Sequence, residues 1–213
     1  MLRWLCLALI LPALAGCKIV PDPDPTAADG SGGGGAQQTD EQRMEARVAA
    51  DWEETVLPAL AQETAAFAEV KPALAAGLDS AGERFGVRPA AGSAPWNFVV
   101  SGQGTVVASK LDSRAASMDL DTDGDGAADI RVQLGPIVRG TGLRDALTVY
   151  DFTAFRDQIE FAKLARALND RAVADIAKPE ADPAGATYAF TGVITPKAGE
   201  SPIPLVPVTL EAR

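Results

Sequence analysis

The chain has 213 residues, 47% of them hydrophobic and 6% aromatic, and it has a formal net charge of −10 and no histidine. An acidic surface repels the phosphate backbone of nucleic acids, so we expect no nucleic-acid binding. The lack of histidine excludes Ser-His and Cys-His nucleophile pairs and histidine metal sites.

Residues 1–16 predict a lipoprotein signal peptide. Arg3 precedes an apolar run from Trp4 to Leu14, which has the length of a secretory signal and is too short to span a bilayer. The stretch LAGC, which ends at Cys17, places small residues before a cysteine that can carry a diacylglycerol. We therefore expect a periplasm-facing lipoprotein of the cell envelope, anchored in the membrane by a lipid on Cys17.

Residues 17–40 predict the lipidated cysteine and a tether. The segment 21–40, PDPDPTAADGSGGGGAQQTD, combines a stiff proline-rich start with a flexible glycine-rich end. Lys18 follows the cysteine at a position where aspartate would favour retention at the inner membrane, so the outer membrane is favoured. Cys6 leaves with the signal peptide, and the mature chain then has no second cysteine for a disulfide.

Residues 41–86 predict a helical arm that begins one globular domain, residues 41–213. Thr39 or Asp40 can cap the first helix, and Pro58 is expected to break or kink it. Apolar residues recur every four positions along this helix: Met44, Val48, Trp52 and Val56. A second helical piece is expected to carry Leu60, Phe67, Val70 and Leu74.

Residues 96–213 predict five strands and one helix. The first strand, 96–111, has Gly102 and Gly104 in its middle, which suggests a bulge or a sharp coil. Two strands with alternating apolar residues follow, around Met118–Leu120 and Ile130–Leu134. A helix is expected at about 153–177, capped by Asp151 or Thr153, and the last strands at 187–194 and 205–212, with Pro207 on an edge or a bulge.

This order, β-β-β-α-β-β behind a helical N-terminal arm, predicts an α+β fold with a five-stranded barrel like that of the OB-fold. An open α+β sheet built from the same elements is the alternative.

Four stretches resemble a known family: CKIVP (17–21), GPIVRGTGLRDAL (135–147), FTAFRDQIEFAKLARALN (152–169) and PLVPVTLE (204–211). They are similar to a family of predicted bacterial periplasmic lipoproteins of unknown function, over nearly the whole mature chain. Members are often encoded beside sugar ABC transporters of the ribose type. The resemblance implies an accessory role in sugar or polyol uptake, with a periplasmic sugar-binding protein or an ABC permease as partner. Gly142 stands where the family pattern leads us to expect alanine.

The segment 135–147 contains candidate binding or structural residues. Arg144 and Asp145 can pair or cap at the start of the following helix, which would serve the fold. In the alternative, Arg144 together with Arg139 faces a partner or an anionic ligand.

We expect no catalytic activity, because Ser-x-x-Lys, G-x-S-x-G and phosphate-loop motifs are also missing. A saccharide-binding module and an envelope scaffold are the alternatives to the transporter accessory.

The stretch DLDTDGDGAADI, residues 119–130, has the spacing of a calcium loop. Four carboxylates could provide oxygen ligands: Asp121, Asp123, Asp125 and Asp129. Val132 stands at the twelfth position, where an EF-hand requires glutamate, so only a weak site of about 0.1–1 mM is expected. In the favoured interpretation the stretch is an exposed hairpin whose aspartates supply turn geometry, and no cofactor is bound.

Overall fold

The computed structural model describes residues 38–89 and 94–213. The predicted signal peptide and nearly all of the predicted tether lie outside the described residues. Of the helices in the described part, none is long and apolar enough to cross a membrane.

Helix α1 spans Asp40–Asp51 and is capped by Thr39. The Thr39 hydroxyl accepts a hydrogen bond from the backbone N–H of Gln42, and the Gln42 side chain accepts one from the backbone N–H of Thr39. This reciprocal capping box satisfies two of the backbone donors that a helix start leaves unpaired. The four residues of the predicted apolar face are all buried: Met44, Val48, Trp52 and Val56.

The predicted irregularity at Pro58 lies immediately before the proline. Trp52–Val56 form a π-helical turn, closed by a hydrogen bond from the Leu57 N–H to the Trp52 carbonyl. Helix α2, Leu57–Gln62, then begins with Pro58 in its first turn. The wider turn accommodates a residue that has no N–H to donate, so the helical path continues past the proline.

The second helical piece, predicted to carry Leu60, Phe67, Val70 and Leu74, is helical at these residues but is not continuous, because α2 ends at Gln62. Strand β1, Thr64–Ala66, follows and pairs in parallel with Val99–Ser101. Only then do two short helices begin, α3 at Phe67–Ala76 and α4 at Leu78–Phe85. Tertiary hydrogen bonds to a neighbouring strand override the local helical pattern here.

The barrel strands follow the predicted segments closely. They are β2 (Phe98–Lys110), β3 (Ala115–Asp121), β4 (Ile130–Pro136), β5 (Thr187–Ile194) and β6 (Ile203–Ala212). Their order is β1-β2-β3-β4-β6-β5, and an additional pairing of β2 with β5 closes the barrel. Strands β4 and β6 are parallel, and the other pairs of barrel strands are antiparallel. The fold is therefore α+β with a closed five-stranded OB-type barrel and one extra strand, which confirms the predicted class.

Strand β2 changes partner near its glycines. Phe98–Thr105 pairs with β5, and Thr105–Lys110 pairs with β3. A Cβ atom on Gly104 would lie 2.7 Å from the carbonyl oxygen of Asp121, so the glycine permits a close approach of two backbones. The bulge itself lies beyond the glycines, between Val106 and Ala108.

The helix predicted at 153–177 is shorter than expected. Asp151 caps only a single 3-10 turn, Phe152–Ala154, whereas Asp157 caps helix α6, Gln158–Ala174. A four-residue helix α5, Gly142–Asp145, precedes both. Pro207 lies beside the register shift between β5 and β6, which confirms that it is accommodated by a bulge.

Two hydrophobic clusters hold the described residues together. The first fills the barrel and draws on all five of its strands, with residues such as Phe98, Met118, Leu134, Phe190 and Leu205. The second lies between the helices and the outer barrel wall, where Val99, Val193 and Val206 contact residues of α1, α5 and α6. Alternating side chains on β2, β5 and β6 therefore serve two separate cores.

The starts of α1 and α6 are joined by ion pairs. Asp40 pairs with Arg43, with Arg156 at 2.5 Å and with Lys163 at 3.4 Å. Glu160, buried at the start of α6, pairs with Arg43 at 3.1 Å. The backbone N–H of Arg156, together with these cations, lowers the pKa of Glu160. This network holds the helical arm against the helix that connects β4 to β5.

Candidate functional site

The aspartate-rich stretch forms the turn of the β3–β4 hairpin. Leu120 pairs with Ile130, and the backbone N–H of Asp129 donates to the carbonyl of Leu120 at 2.8 Å. Gly124 and Gly126 have φ angles of 82° and 85°, a conformation that favours glycine. The predicted hairpin between these two strands is confirmed.

Asp121 organises this turn through its carboxylate. Its Oδ1 accepts hydrogen bonds from the backbone N–H groups of Asp123 at 3.1 Å and Gly124 at 2.7 Å, and its Oδ2 accepts one from Gly126 at 2.8 Å. These donors stabilise the charged carboxylate and therefore lower the pKa of Asp121. The hydrogen bond from the Gly126 N–H makes the largest contribution. Both carboxylate oxygens are therefore already used by the loop backbone.

Three of the four predicted calcium ligands lie together. Carboxylate oxygens of Asp121, Asp123 and Asp129 are within 4.8 Å of one another. Asp125 is not part of this cluster, and its Oδ1 accepts a hydrogen bond from the Ala127 N–H at 2.8 Å. The sequence spacing therefore brings three carboxylates together and directs the fourth elsewhere.

Lys71 of α3 reaches into this cluster from outside the loop. Its Nζ lies 2.6 Å from Asp123 Oδ2 and 2.5 Å from Asp129 Oδ1. Burial alone would lower the pKa of Lys71, but its hydrogen bonds to Asp123 and Asp129 raise it overall. A calcium ion bound here would have to displace this ammonium group. Weak calcium binding stays a prediction.

Arg144 and Asp145 form a largely buried pair. Arg144 Nη2 lies 2.6 Å from Asp145 Oδ1, and each side chain is only 12% exposed. Arg144 Nη1 also donates to the Phe161 carbonyl at 3.1 Å, and its guanidinium group stacks 3.8 Å from the Phe161 ring centroid. Thr141 Oγ1 donates to the second Asp145 oxygen at 2.7 Å. These contacts place Arg144 within the fold, where it links α5 to α6.

Arg139 is separate from that pair and lies on the surface. Its backbone N–H donates to Gln133 Oε1 at 2.8 Å, and Gln133 Nε2 donates to its carbonyl at 3.2 Å. The Gln133 side chain therefore fastens the segment after β4 to the strand, while the Arg139 guanidinium group remains exposed. Of the three predicted residues, the structure pairs Arg144 with Asp145 and leaves Arg139 at the edge of a cleft.

This cleft, of about 920 Å³, lies on the outer face of the barrel. Its floor includes outward-facing residues of β3 and β4, and its sides include the segments 137–142 and 195–200. Its polar and charged lining residues include Lys110, Ser117, Asp119, Arg131, Gln133, Arg139, Thr195, Lys197 and Glu200. We call it the barrel cleft.

A cross-strand ion pair lies on the floor of the barrel cleft. Asp119 and Arg131 are register partners, and Arg131 donates from Nε at 2.7 Å and from Nη2 at 2.8 Å to the two Asp119 oxygens. Arg131 itself is nearly half exposed, so it is available for contact with a bound molecule. The Asp119 carboxylate raises the pKa of Arg131, which keeps the guanidinium group charged.

Gly142 lies at the end of the barrel cleft, at the position where the resemblance leads us to expect alanine. A Cβ atom there would lie 2.3 Å from Thr195 Oγ1. That hydroxyl donates to the buried Asn97 Oδ1 at 2.7 Å. An alanine at 142 would therefore require Thr195 to turn away, so the glycine and this threonine rotamer fit one another.

The barrel cleft was not found by reasoning from the sequence. Its residues come from five strands, three loops and the first residue of α5, and no contiguous motif joins them. A signal was present in the alternation, because the outward positions of β3 and β4 are polar and Asp119 and Arg131 have opposite charge. The side chains of this lining can make ionic, hydrogen-bonding and apolar contacts with a bound molecule.

Comparison with known proteins gives a family and a fold. A family model described as predicted periplasmic lipoprotein (DUF2291) matches residues 7–211. The crystal structure of an OB-fold protein from Thermotoga maritima is similar with a TM-score of 0.60 and 17% sequence identity, over 81% of this chain and 96% of that one. A search of curated proteins finds no match. The structural similarity supports the barrel fold alone.

Asp121→Asn should destabilise the protein by several degrees in melting temperature, because one accepting oxygen becomes an amide that faces backbone donors. Asp125→Asn, which affects a single hydrogen bond to Ala127, is the matched control and should have a much smaller effect. Thermal unfolding at neutral pH measures both. Equal losses in the two variants would contradict the role of Asp121.

The pH dependence of the Asp121 contribution follows from its lowered pKa. The pKa of this carboxyl is lower in the folded than in the unfolded state. The carboxylate therefore stabilises the fold at pH values above the unfolded pKa of about 3.9. This contribution is lost as the pH falls through the folded pKa. The difference between wild type and Asp121→Asn should therefore be constant near neutrality and shrink in acid below about pH 4.

Lys71→Met should increase the calcium affinity of the hairpin by about tenfold, since it removes the positive charge that lies between two carboxylates. The matched control is Lys163→Met, which removes an ammonium group from Asp40 and Glu41 at the start of α1 and should leave the calcium affinity unchanged. Calorimetric titration of chelator-treated protein measures the affinity. Wild-type binding tighter than about 10 μM, or unchanged affinity in Lys71→Met, would contradict this interpretation.

Proposed function

The chain belongs to the DUF2291 family of predicted periplasmic lipoproteins, and we propose that it is a non-catalytic, membrane-anchored lipoprotein that binds a partner protein through the barrel cleft. The partner is a component of a sugar or polyol ABC transporter, either its periplasmic binding protein or its permease. The observation that carries the binding role is the barrel cleft itself, an open cleft of about 920 Å³ lined by charged, polar and apolar side chains.

The shape and lining of the barrel cleft support a macromolecular partner. Pockets for small molecules are concave and enclose most of their ligand. The barrel cleft is open to solvent, and its charged groups Lys110, Arg139 and Lys197 are exposed. The polar rim of a protein interface has this composition, and Ile137, 40% exposed, adds an apolar contact at its edge.

The non-catalytic role is supported by the chemistry of the described residues. The chain has no histidine, and the carboxylates that lie close together in the hairpin turn accept hydrogen bonds from the loop backbone or pair with Lys71. The buried Arg144–Asp145 pair is likewise satisfied by contacts within the fold. The transporter assignment is supported by the resemblance described above, whose members are often encoded beside such transporters.

A saccharide ligand is the second candidate. The volume of the barrel cleft is within the range of small-molecule sites, about 300–1,000 Å³. Its side chains Ser117, Gln133 and Thr195 are suited to hydrogen bonds with hydroxyl groups. A sugar panel in a thermal-shift assay separates this candidate from a protein partner. An envelope scaffold would bind a protein that is not part of the transporter. Identification of the cross-linked partner therefore distinguishes a scaffold from a transporter accessory.

The lipid is expected on Cys17. Cells that express the protein should incorporate labelled fatty acid into wild type and lose this label in Cys17→Ser, because serine cannot form the thioether. Cys6→Ser is the matched control, since Cys6 lies in the predicted signal peptide and leaves with it. Globomycin should cause the unprocessed precursor to accumulate. Labelled Cys17→Ser protein would contradict anchoring at this residue.

Deletion of the gene should lower uptake of the sugar or polyol that the neighbouring transporter carries. Uptake of labelled substrates is measured in a strain that still expresses the transporter genes at normal levels. Wild type supplied from a plasmid should restore uptake, and Cys17→Ser should not, because an unanchored chain is no longer held at the membrane. Unchanged uptake across all substrates of that transporter would contradict the accessory role and favour the scaffold.

A further inference from the structure

We propose that the barrel cleft is a docking surface for an acidic segment of the partner protein. This inference rests on the proposed function and adds the chemistry of the partner. The lining contains four cations, Lys110, Arg131, Arg139 and Lys197, and two carboxylates, Asp119 and Glu200. The chain as a whole has the opposite balance, with 29 acidic and 19 basic residues. The barrel cleft is therefore a basic area on an acidic protein.

The cations of the barrel cleft differ from most other cations in their contacts. Within the described residues, Arg and Lys side chains outside the barrel cleft mostly pair with carboxylates, as Arg43, Lys71 and Arg171 do. Among the same residues, three cations outside the barrel cleft have no ion pair but make another side-chain contact. Arg84 and Arg88 lie over the rings of Phe85 and Trp96, and Lys178 donates to the Gly135 carbonyl.

Four cations of the described part have neither an ion pair nor such a contact through their side chains. They are Lys110, Arg114, Arg139 and Lys197. Three of them line the barrel cleft, and Arg114 lies between two lining residues, Ser113 and Ala115. Within the described residues, the cations that have neither an ion pair nor another such contact are therefore concentrated on one surface, and a partner with acidic residues would complement them.

The exposure of these cations decides between an acidic protein segment and a small anion. A specific anion site requires buried, convergent donors, whereas Lys110, Arg139 and Lys197 are exposed around an open trough. Surface charges of this kind steer a protein partner and fix its orientation. On the floor of the barrel cleft, the two hydrogen bonds to Asp119 fix the orientation of the Arg131 guanidinium group.

The test uses the full-length lipoprotein in its own membranes, with a photo-cross-linking amino acid in place of Ser117, a lining residue of β3. The double charge reversal Arg139→Glu with Lys197→Glu should reduce cross-linking to the partner by about tenfold or more. The double neutralisation to glutamine should give an intermediate loss. Wild-type cross-linking should weaken as salt increases, and the cross-linked peptide of the partner should be rich in aspartate and glutamate.

The matched control is Arg84→Glu with Arg88→Glu, which changes the net charge equally but away from the barrel cleft. It should cross-link like wild type, and thermal unfolding of each purified variant checks that the fold is intact. Cross-linking that is unchanged by reversal at the barrel cleft, or a partner peptide without acidic residues, overturns the charge inference and leaves the proposed function standing. A product that contains phospholipid and no peptide assigns the surface to the membrane and also overturns it. Absence of any product in wild type contradicts the proposed function itself.

Discussion

The fold depends on a single long strand that must serve three neighbours. Strand β2 pairs with β5 over Phe98–Thr105 and with β3 over Thr105–Lys110, so the barrel can close only if β2 changes direction between them. Gly102 and Gly104 make this change possible. A Cβ atom on Gly102 would lie 2.9 Å from the Phe190 ring, and one on Gly104 would lie 2.7 Å from a backbone carbonyl of β3. Side chains there would separate the strands that the closure brings together.

The same strand explains the extra element in the arm. With β5 on one edge of Phe98–Thr105 and β3 beginning only at Thr105, the other edge of Val99–Ser101 would lack a partner. Strand β1 fills this gap in parallel register and satisfies backbone groups that burial would otherwise leave unpaired. Helix α3 follows directly, packs Phe67 against Phe190 and brings Lys71 to the hairpin. Barrel closure therefore also determines which cation meets the aspartates.

Sequence reasoning predicts those features that depend on neighbouring residues. Alternation identifies the five barrel strands, and the bounds of β5 are those predicted, because the strands have one face in the barrel interior. Features that depend on distant contacts were missed. Strand β1 has only three residues, too few for a period, and Asp157 rather than Asp151 starts α6 although both are competent caps. The contact of Lys71 with Asp123 joins residues 52 positions apart, and nothing local indicates it.

The hairpin turn and the barrel cleft show why the most conspicuous sequence motif is not the surface with the most unpaired cations among the described residues. In the hairpin, Asp121 is occupied by three backbone N–H groups, and Asp129 by Lys71 and Thr122, so much of the negative charge is neutralised within the fold. In the barrel cleft, the cations come from separate strands and loops and form no regular spacing in the chain. Helices pack against the outer wall at Val99, Val193 and Val206. The barrel cleft extends from Val193 and Val206 over the outward side chains of Ser117, Asp119 and Arg131. The surface proposed for binding therefore follows from the outward positions of the β alternation, which are polar on β3 and β4, whereas the helices pack where such positions are apolar.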